Sequence, residues 1–275
     1  MHQELKTSSF TRLNLASLPQ RQLLAALLLI VLVFQTTPTI AANTLTAAKP
    51  EQTSETPSKT TILPFEAHYS AKWNKVSLRG LAVRKLIINE ANQQEFSFNA
   101  KTLAAKVQES SHFNWHRCSP VPSAYHYERK GFLKKKKTLQ QTFNWDDQQV
   151  TSNTSKYSTT FDLPMQSTDK LSYQLAIRCD LKQGNTDLNY QVVDKSRLKQ
   201  YSFEIVNEEI LETPLGTLNA IKVKRVREAN QRQTFLWFAK ELDYLLVKLE
   251  QYDTGGNHYV INIKSLQNSH ATAKQ

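Results

Sequence analysis

Few stretches of this chain combine residue types able to do chemistry at a spacing that would let them act together. In SSHFNWHRC, His112, His116 and Cys118 spell H-x3-H-x-C, which invites a metal reading. On a strand, His112 and His116 would stand roughly 13 Å apart at about 3.3 Å per residue, too far to share one ion. Only a helix would bring them together, and the alternating Phe113 and Trp115 with Pro120 behind them argue for a strand, so no metal is expected. Asp146-Asp147 and Glu208-Glu209 are adjacent acid pairs, and strand neighbours point to opposite faces, so they read as turn residues rather than as an acid/base dyad. There is no G-x-S-x-G, no H-E-x-x-H and no G-x-G-x-x-G, and no cofactor is expected.

Two clusters remain. Arg129, Lys130 and Lys134, Lys135, Lys136 and Lys137 form the densest run of positive charge. One reading is a solvated hairpin tip or a lysine-protected edge strand; the other is contact with an anionic headgroup. Trp73, Phe98, Trp115, Trp145 and Trp237 are the large aromatics that would line a concave face, either as packing or as the wall of an apolar ligand site.

The elements that must position these residues read as strands. Phe65, Ala67, Tyr69, Ala71 and Trp73 share one parity against Glu66, His68, Ser70 and Lys72, the mark of a half-buried strand. Further runs follow at Val76–Glu90, around Phe96 and Phe98, and around Phe113 and Trp115, where Pro120 and Pro122 are expected to end the pairing. Strands are expected at Tyr125–Lys130 and Lys137–Trp145, with a polar run near Gln149–Tyr157. After Pro164 the pattern changes. Ser167 or Thr168 as N-cap, Leu171, Leu175 and Cys179 along one side, and Gly184 past the end predict one helix over Thr168–Lys182.

From Glu209 to Leu266 the chain alternates again in four runs, patterned by Ile221 and Val223, by Phe235, Trp237 and Ala239, by Leu245, Val247 and Leu249, and by Tyr259, Ile261 and Ile263. Thr254-Gly255-Gly256-Asn257 is the strongest hairpin turn signal. An antiparallel meander with one helix follows.

Residues 1–42 carry a basic start (Lys6, Arg12, Arg21), the apolar run Leu23–Phe34 and small residues at Ala41 and Ala42, the pattern of a cleavable signal peptide. The run is too short for the about 20 residues of a membrane span, and no cysteine stands near the cleavage point for lipid attachment. Residues 43–61, rich in Thr, Ser, Ala and Pro, read as a flexible leader. Residues 62–267 form a single antiparallel β domain, and 268–275 a polar tail.

Of the formal charge of +11, the signal peptide takes Lys6, Arg12 and Arg21 against Glu4, which leaves +9 on the mature chain. Periplasmic export makes lipid headgroups or other envelope components the expected anionic partners, in place of nucleic acid. Cys118 and Cys179 lie in the exported part, where a disulfide is permitted. Such a bond would stabilise by roughly 4 kcal/mol in the chain-entropy model. Sequence gives no distance, and two buried thiols fit equally well.

FEAHYSAKW, ERKGFLKKKK, FNWDD, DKLSYQLAIR, TPLGTLNAIKVKR and TFLWFAKELDYLLVKLE, in this order and spacing, resemble an uncharacterised family of exported bacterial proteins catalogued as domain of unknown function 3108. The resemblance spans about Leu63 to Leu266. It implies a mainly β fold, a curved antiparallel sheet or half-barrel akin to envelope lipoprotein carriers, wrapped around one short helix. It supplies no catalytic residues, and its pattern does not include the two cysteines. The function expected on these grounds is a non-enzymatic envelope protein holding an apolar or lipid-like ligand on the concave face. The alternative is a structural or assembly factor that acts through protein contacts and has a filled core.

Overall fold

A computed structural model describes residues 62–268 apart from 75, 91–92, 103–104, 132–134 and 228–230, and apart from the side chains of Trp73, residues 76–80 and Asn268. The signal peptide and leader readings, and the tail beyond residue 268, lie outside the described residues.

The chain forms β1 (Phe65–Trp73), β2 (Val76–Ile88), β3 (Gln94–Thr102), β4 (Ala105–His116), β5 (Ser119–Gly131), β6 (Lys137–Asn144), β7 (Gln149–Thr154), β8 (Ser158–Asp162) and β9 (Ser167–Asp169). After the helix α1 (Tyr173–Lys182) come β10 (Leu188–Val193), β11 (Leu198–Thr213), β12 (Gly216–Arg225), β13 (Gln233–Ala239), β14 (Leu245–Tyr252) and β15 (His258–Asn268). A 3-10 turn at Lys240–Leu242 joins β13 to β14.

All fifteen strands belong to one sheet, in the order β8-β7-β6-β5-β4-β3-β2-β1-β15-β14-β13-β12-β11-β10-β9. Two meanders are therefore zipped together where β1 pairs with β15. The outermost strands, β8 and β9, follow one another in the chain, so the sheet curls on itself without closing. Every adjacent pair is antiparallel except β9 and β10, which run parallel.

The prolines do not end pairing as expected. Pro120 and Pro122 sit inside β5, opposite Trp115 and Phe113 of β4. β6 joins the other edge of β5 only from Ala124 onward. Two residues apart, both imide nitrogens face that unpaired edge, where no ladder donor is required.

The helix begins later than its capping signals suggest. Ser167–Asp169 pairs with Gln191–Val193 as a short parallel strand, and the helix starts at Tyr173 with Ser172 as its N-cap. Asp169 is fully buried, and its carboxylate accepts the backbone N–H groups of Leu171 (2.7 Å) and Ser172 (2.9 Å) and the hydroxyls of Ser111 and Ser172. This satisfies donors at the helix entrance from outside the helix. The exit follows expectation: Gly184 at φ 77° lets its N–H reach the Leu181 carbonyl and that of Asn185 reach Asp180.

The curled sheet clasps this helix. Leu171, Leu175 and Cys179 pack into a cluster with Phe65, Leu86, Phe96, Phe113 and Tyr125 from the first meander. Ile177 and Leu181, one turn apart, enter a second cluster with Leu188, Val223, Leu236 and Phe238 from the return meander. At about 1.5–3 kcal/mol for each fully buried aliphatic side chain, these contacts hold the helix from two sides.

Candidate functional site

Of the predicted basic cluster, Arg129 and Lys137 meet on β5 and β6, beside tyrosines that were not among the predicted aromatics. Period two on β5 sends Tyr125, Tyr127 and Arg129 to one face. Directly opposite on β6 stand Gln141, Leu139 and Lys137, and Thr154 of β7 lies opposite Leu139. The wrap brings three turns over this patch: Ser155 to Tyr157 between β7 and β8, Lys170 just before α1, and Lys195 between β10 and β11. Together they enclose an open cleft of about 400 Å³ with Tyr125, Tyr127 and Leu139 on its walls. Arg129, Lys137, Lys156, Lys170 and Lys195 supply its positive charge.

The cleft is held in shape by polar ties across the sheet's hollow. Lys195 adopts φ 63°, and its carbonyl accepts hydrogen bonds from Gln141 Nε2 (2.8 Å) and Ser152 Oγ (2.7 Å). The β10–β11 turn is thereby pinned onto β6 and β7. The Ser111–Asp169 hydrogen bond fixes the segment that carries Lys170 onto β4. A disulfide between Cys118 and Cys179, with Cα atoms 5.3 Å apart, anchors the helix to the β4–β5 turn.

Charge in the cleft is unbalanced. Arg129 and Lys137 face each other across neighbouring strands, a like-charge pairing that disfavours the sheet. Neither they nor Lys156 form an ion pair among the described residues, while Lys170 sits 3.6 Å from Asp194. Asp194 is opposed by burial, yet hydrogen bonding from Lys199 and the charge of Lys170 hold its carboxyl below the ordinary range. Beside the tyrosine wall, Tyr125 donates a short hydrogen bond to Glu109. Burial pushes the Glu109 carboxyl up, with that bond acting against it, and pushes the Tyr125 hydroxyl well above 10.

The rest of the predicted basic cluster lies elsewhere. Lys130 and Lys136 clasp Glu128, at 2.8 and 2.6 Å, and their hydrogen bonds bring its carboxyl down to about 2. Lys130, Lys135 and Lys136 are exposed, as a solvated hairpin tip requires. Edge protection does not describe Lys137, because β6 is an internal strand and β8 is the edge. Lys134 lies outside the described residues.

None of the predicted ligand-binding aromatics with a described side chain lines the cleft. Phe98, Trp115 and Trp145 are half-buried and pack against the larger core cluster. Trp115 meets Phe113 edge-on at 5.3 Å, and Trp145 donates from Nε1 to the Pro122 carbonyl. Trp237 is buried, with Nε1 donating to Glu209 at 2.7 Å. The Trp73 side chain lies outside the described residues.

The cleft residues missed from sequence are Tyr125, Tyr127, Leu139, Lys156, Tyr157, Lys170 and Lys195. The parity of Tyr125, Tyr127 and Arg129 was the available signal for the first two. Of the other sequence candidates, Cys118 is committed to the disulfide, and His112 and His116 remain on one strand. Among the described residues no three His, Cys, Asp or Glu side chains are grouped to hold a metal ion. Asp146 and Asp147 lie in the β6–β7 turn. Glu208 and Glu209 lie within β11 and not in a turn as expected, and they diverge, one to Lys240 and the other to Lys222 and Trp237.

The family described as Protein of unknown function (DUF3108) matches residues 65–264, and the chain belongs to it. No curated protein matches the chain in sequence. Among solved structures, a β-barrel-like protein of domain of unknown function DUF1849 from Brucella abortus covers 76% of this chain and 99% of its own, at 10% identity and a TM-score of 0.53. That likeness supports the half-barrel fold. MucB, in its complex with MucA, covers 78% of this chain and 54% of its own at 10% identity, with a TM-score of 0.34. A putative outer membrane lipoprotein-sorting protein domain from Vibrio parahaemolyticus covers 77% of this chain and 87% of its own at 9% identity, with a TM-score of 0.20.

Proposed function

We propose that this member of the DUF3108 family is a non-enzymatic, periplasmic cell-envelope protein that binds an anionic amphiphile in the cleft between β5–β7 and the turns around Lys170 and Lys195. The observation that carries this reading is the pairing of an aromatic wall, Tyr125 and Tyr127, with Arg129 and Lys137 set face to face and, among the described residues, without a carboxylate partner. A folded protein that keeps two cations opposed without a counter-charge gains from an external anion. The cleft volume falls within the range of about 300–1,000 Å³ typical of small-molecule sites.

The sequence supports the address through its export signal, and the half-barrel supports a hollow open to solvent. Lining a groove with tyrosines suits a ligand with an apolar body and a polar end. The direct test is native mass spectrometry of the protein released from its own envelope, followed by lipid extraction. An anionic lipid-like molecule in one-to-one stoichiometry is the expected result. Protein that carries no such molecule but retains a stable protein partner would overturn it.

One observation favours that second reading, a structural or assembly factor. The long β11–β12 hairpin exposes Ile205, Val206 and Ile210, the last at 70% of its surface. Exposed apolar residues grouped on one hairpin are features of protein contact surfaces.

A further inference from the structure

Beyond Lys170 the hollow continues into a larger and chemically different cleft of about 780 Å³. Arg197, Arg225, Arg227 and Arg232 all line it. Among the described residues the only acid on its lining, Asp194, is already engaged by Lys170 and Lys199. No ion pair to any of the four arginines is present among the described residues. Arg225 lies over the Tyr201 ring, its guanidinium carbon 3.2 Å from the centroid, with its buried Nε lacking a hydrogen-bond acceptor. Stacking of this kind fixes the plane of a guanidinium at the cleft wall.

The guanidinium groups on this one lining repel one another, and among the described residues no ion pair offsets that repulsion. The planar fork of each matches two oxygens of a phosphate group. The two clefts also share their divide: Lys170 lines both, and the β10–β11 turn gives Lys195 to one and Arg197 to the other. We infer that the arginine cleft is a second subsite that takes phosphate groups, those of the phosphorylated headgroup of the same amphiphile whose apolar part lies against Tyr125 and Tyr127. The link to an amphiphile rests on the function proposed above; the phosphate chemistry of the arginine cleft does not.

Isothermal titration of the full-length chain tests both parts, with inorganic pyrophosphate and dioctanoyl phosphatidic acid as probes. The variants are Arg197→Gln with Arg232→Gln, both exposed and outside the core; Arg129→Gln with Lys137→Gln; and a control pair, Arg117→Gln with Lys264→Gln, on exposed sites elsewhere. Pyrophosphate binding is expected to weaken about tenfold or more in the first pair, at the strength of one lost charge-assisted contact, and to hold in the other two. Phosphatidic acid binding is expected to weaken in the first two pairs and hold in the control. If pyrophosphate follows this pattern and phosphatidic acid does not bind, the arginine cleft stands as a site for free phosphorylated molecules and the amphiphile reading falls. If pyrophosphate fails to bind, or binds the Arg197→Gln, Arg232→Gln pair as well as the parent, or is lost equally in the control pair, the inference is overturned.

Discussion

Trp237 and Tyr127 are both large aromatics on internal strands of one sheet, and the protein completes their surroundings in opposite ways. Lys222 and Lys248, its cross-strand neighbours, place their ammonium groups 5.0 and 4.3 Å from the Trp237 ring centroid. Glu209 accepts its N–H and pairs with Lys222, and Lys248 pairs with Glu250, so each of these charges has a partner. Around Tyr127 the neighbouring cations Arg129 and Lys137 have none among the described residues. An aromatic whose cations and polar edge are satisfied internally is a packing element. One flanked by cations left open is where a ligand completes the structure.

The sharpest ways to probe this contrast act first on what both regions share. Replacing Cys118 and Cys179 by Ser removes the anchor of the helix that both meanders clasp. The 61-residue separation predicts a loss of roughly 4 kcal/mol in urea unfolding. Trp237→Phe keeps a ring between the two lysines but deletes the hydrogen bond to Glu209. It should cost about 2 kcal/mol, the worth of a hydrogen bond to a charged group, and leave amphiphile affinity unchanged. A loss of affinity in that variant would erase the distinction between the two regions.

Glu109 beside Tyr125 offers a pH test of the cleft wall. Burial raises its carboxyl above the ordinary 4.5, so the folded chain holds this proton to higher pH than the unfolded chain does. Its contribution to stability is therefore full below about pH 4.5 and declines as pH rises through the window above it, by at most about 1.4 kcal/mol per pH unit. Glu109→Gln should remove that decline when urea midpoints are compared across pH with the parent. Matching pH profiles for parent and variant would show that the carboxyl is not desolvated as the structure requires.

The smallest effect on stability belongs to the most informative pair. Arg129→Gln with Lys137→Gln relieves a like-charge opposition and should leave unfolding free energy unchanged or raise it by about 0.5 kcal/mol. A clear destabilisation would mean that these cations serve the fold.

Local pattern made much of the architecture legible. The parity of Phe65, Ala67 and Tyr69 matches three fully or nearly fully buried side chains, and the Gly184 stop signal lies where the helix ends. The Asp253–Asn257 turn also forms, though only Gly256 of its two glycines has positive φ, and the Asp253 carboxylate supports the turn by accepting N–H groups from Gly255 and Asn257. What local pattern could not show is set by distant partners. Ser167-Thr168-Asp169 has no strand signature and becomes β9 because Gln191–Val193 offers a ladder beside it. Pro122 survives in β5 because its other edge is unpaired at that height. The same holds for the cleft: Lys156, Lys170 and Lys195 sit in three turns far apart in sequence, and only the wrap gathers them over Tyr127. Trp145 and Trp237, singled out as candidate ligand contacts, lie outside the cleft lining, where their satisfied indole N–H groups suit packing.

The most direct test of the central claim is a titration of full-length parent and Arg129→Gln, Lys137→Gln protein with dodecyl phosphate, read by calorimetry alongside urea unfolding of both. Saturable one-to-one binding to the parent is expected, about tenfold weaker in the double variant at unchanged stability. Equal affinity in the two proteins, or no saturable binding to the parent, would contradict it.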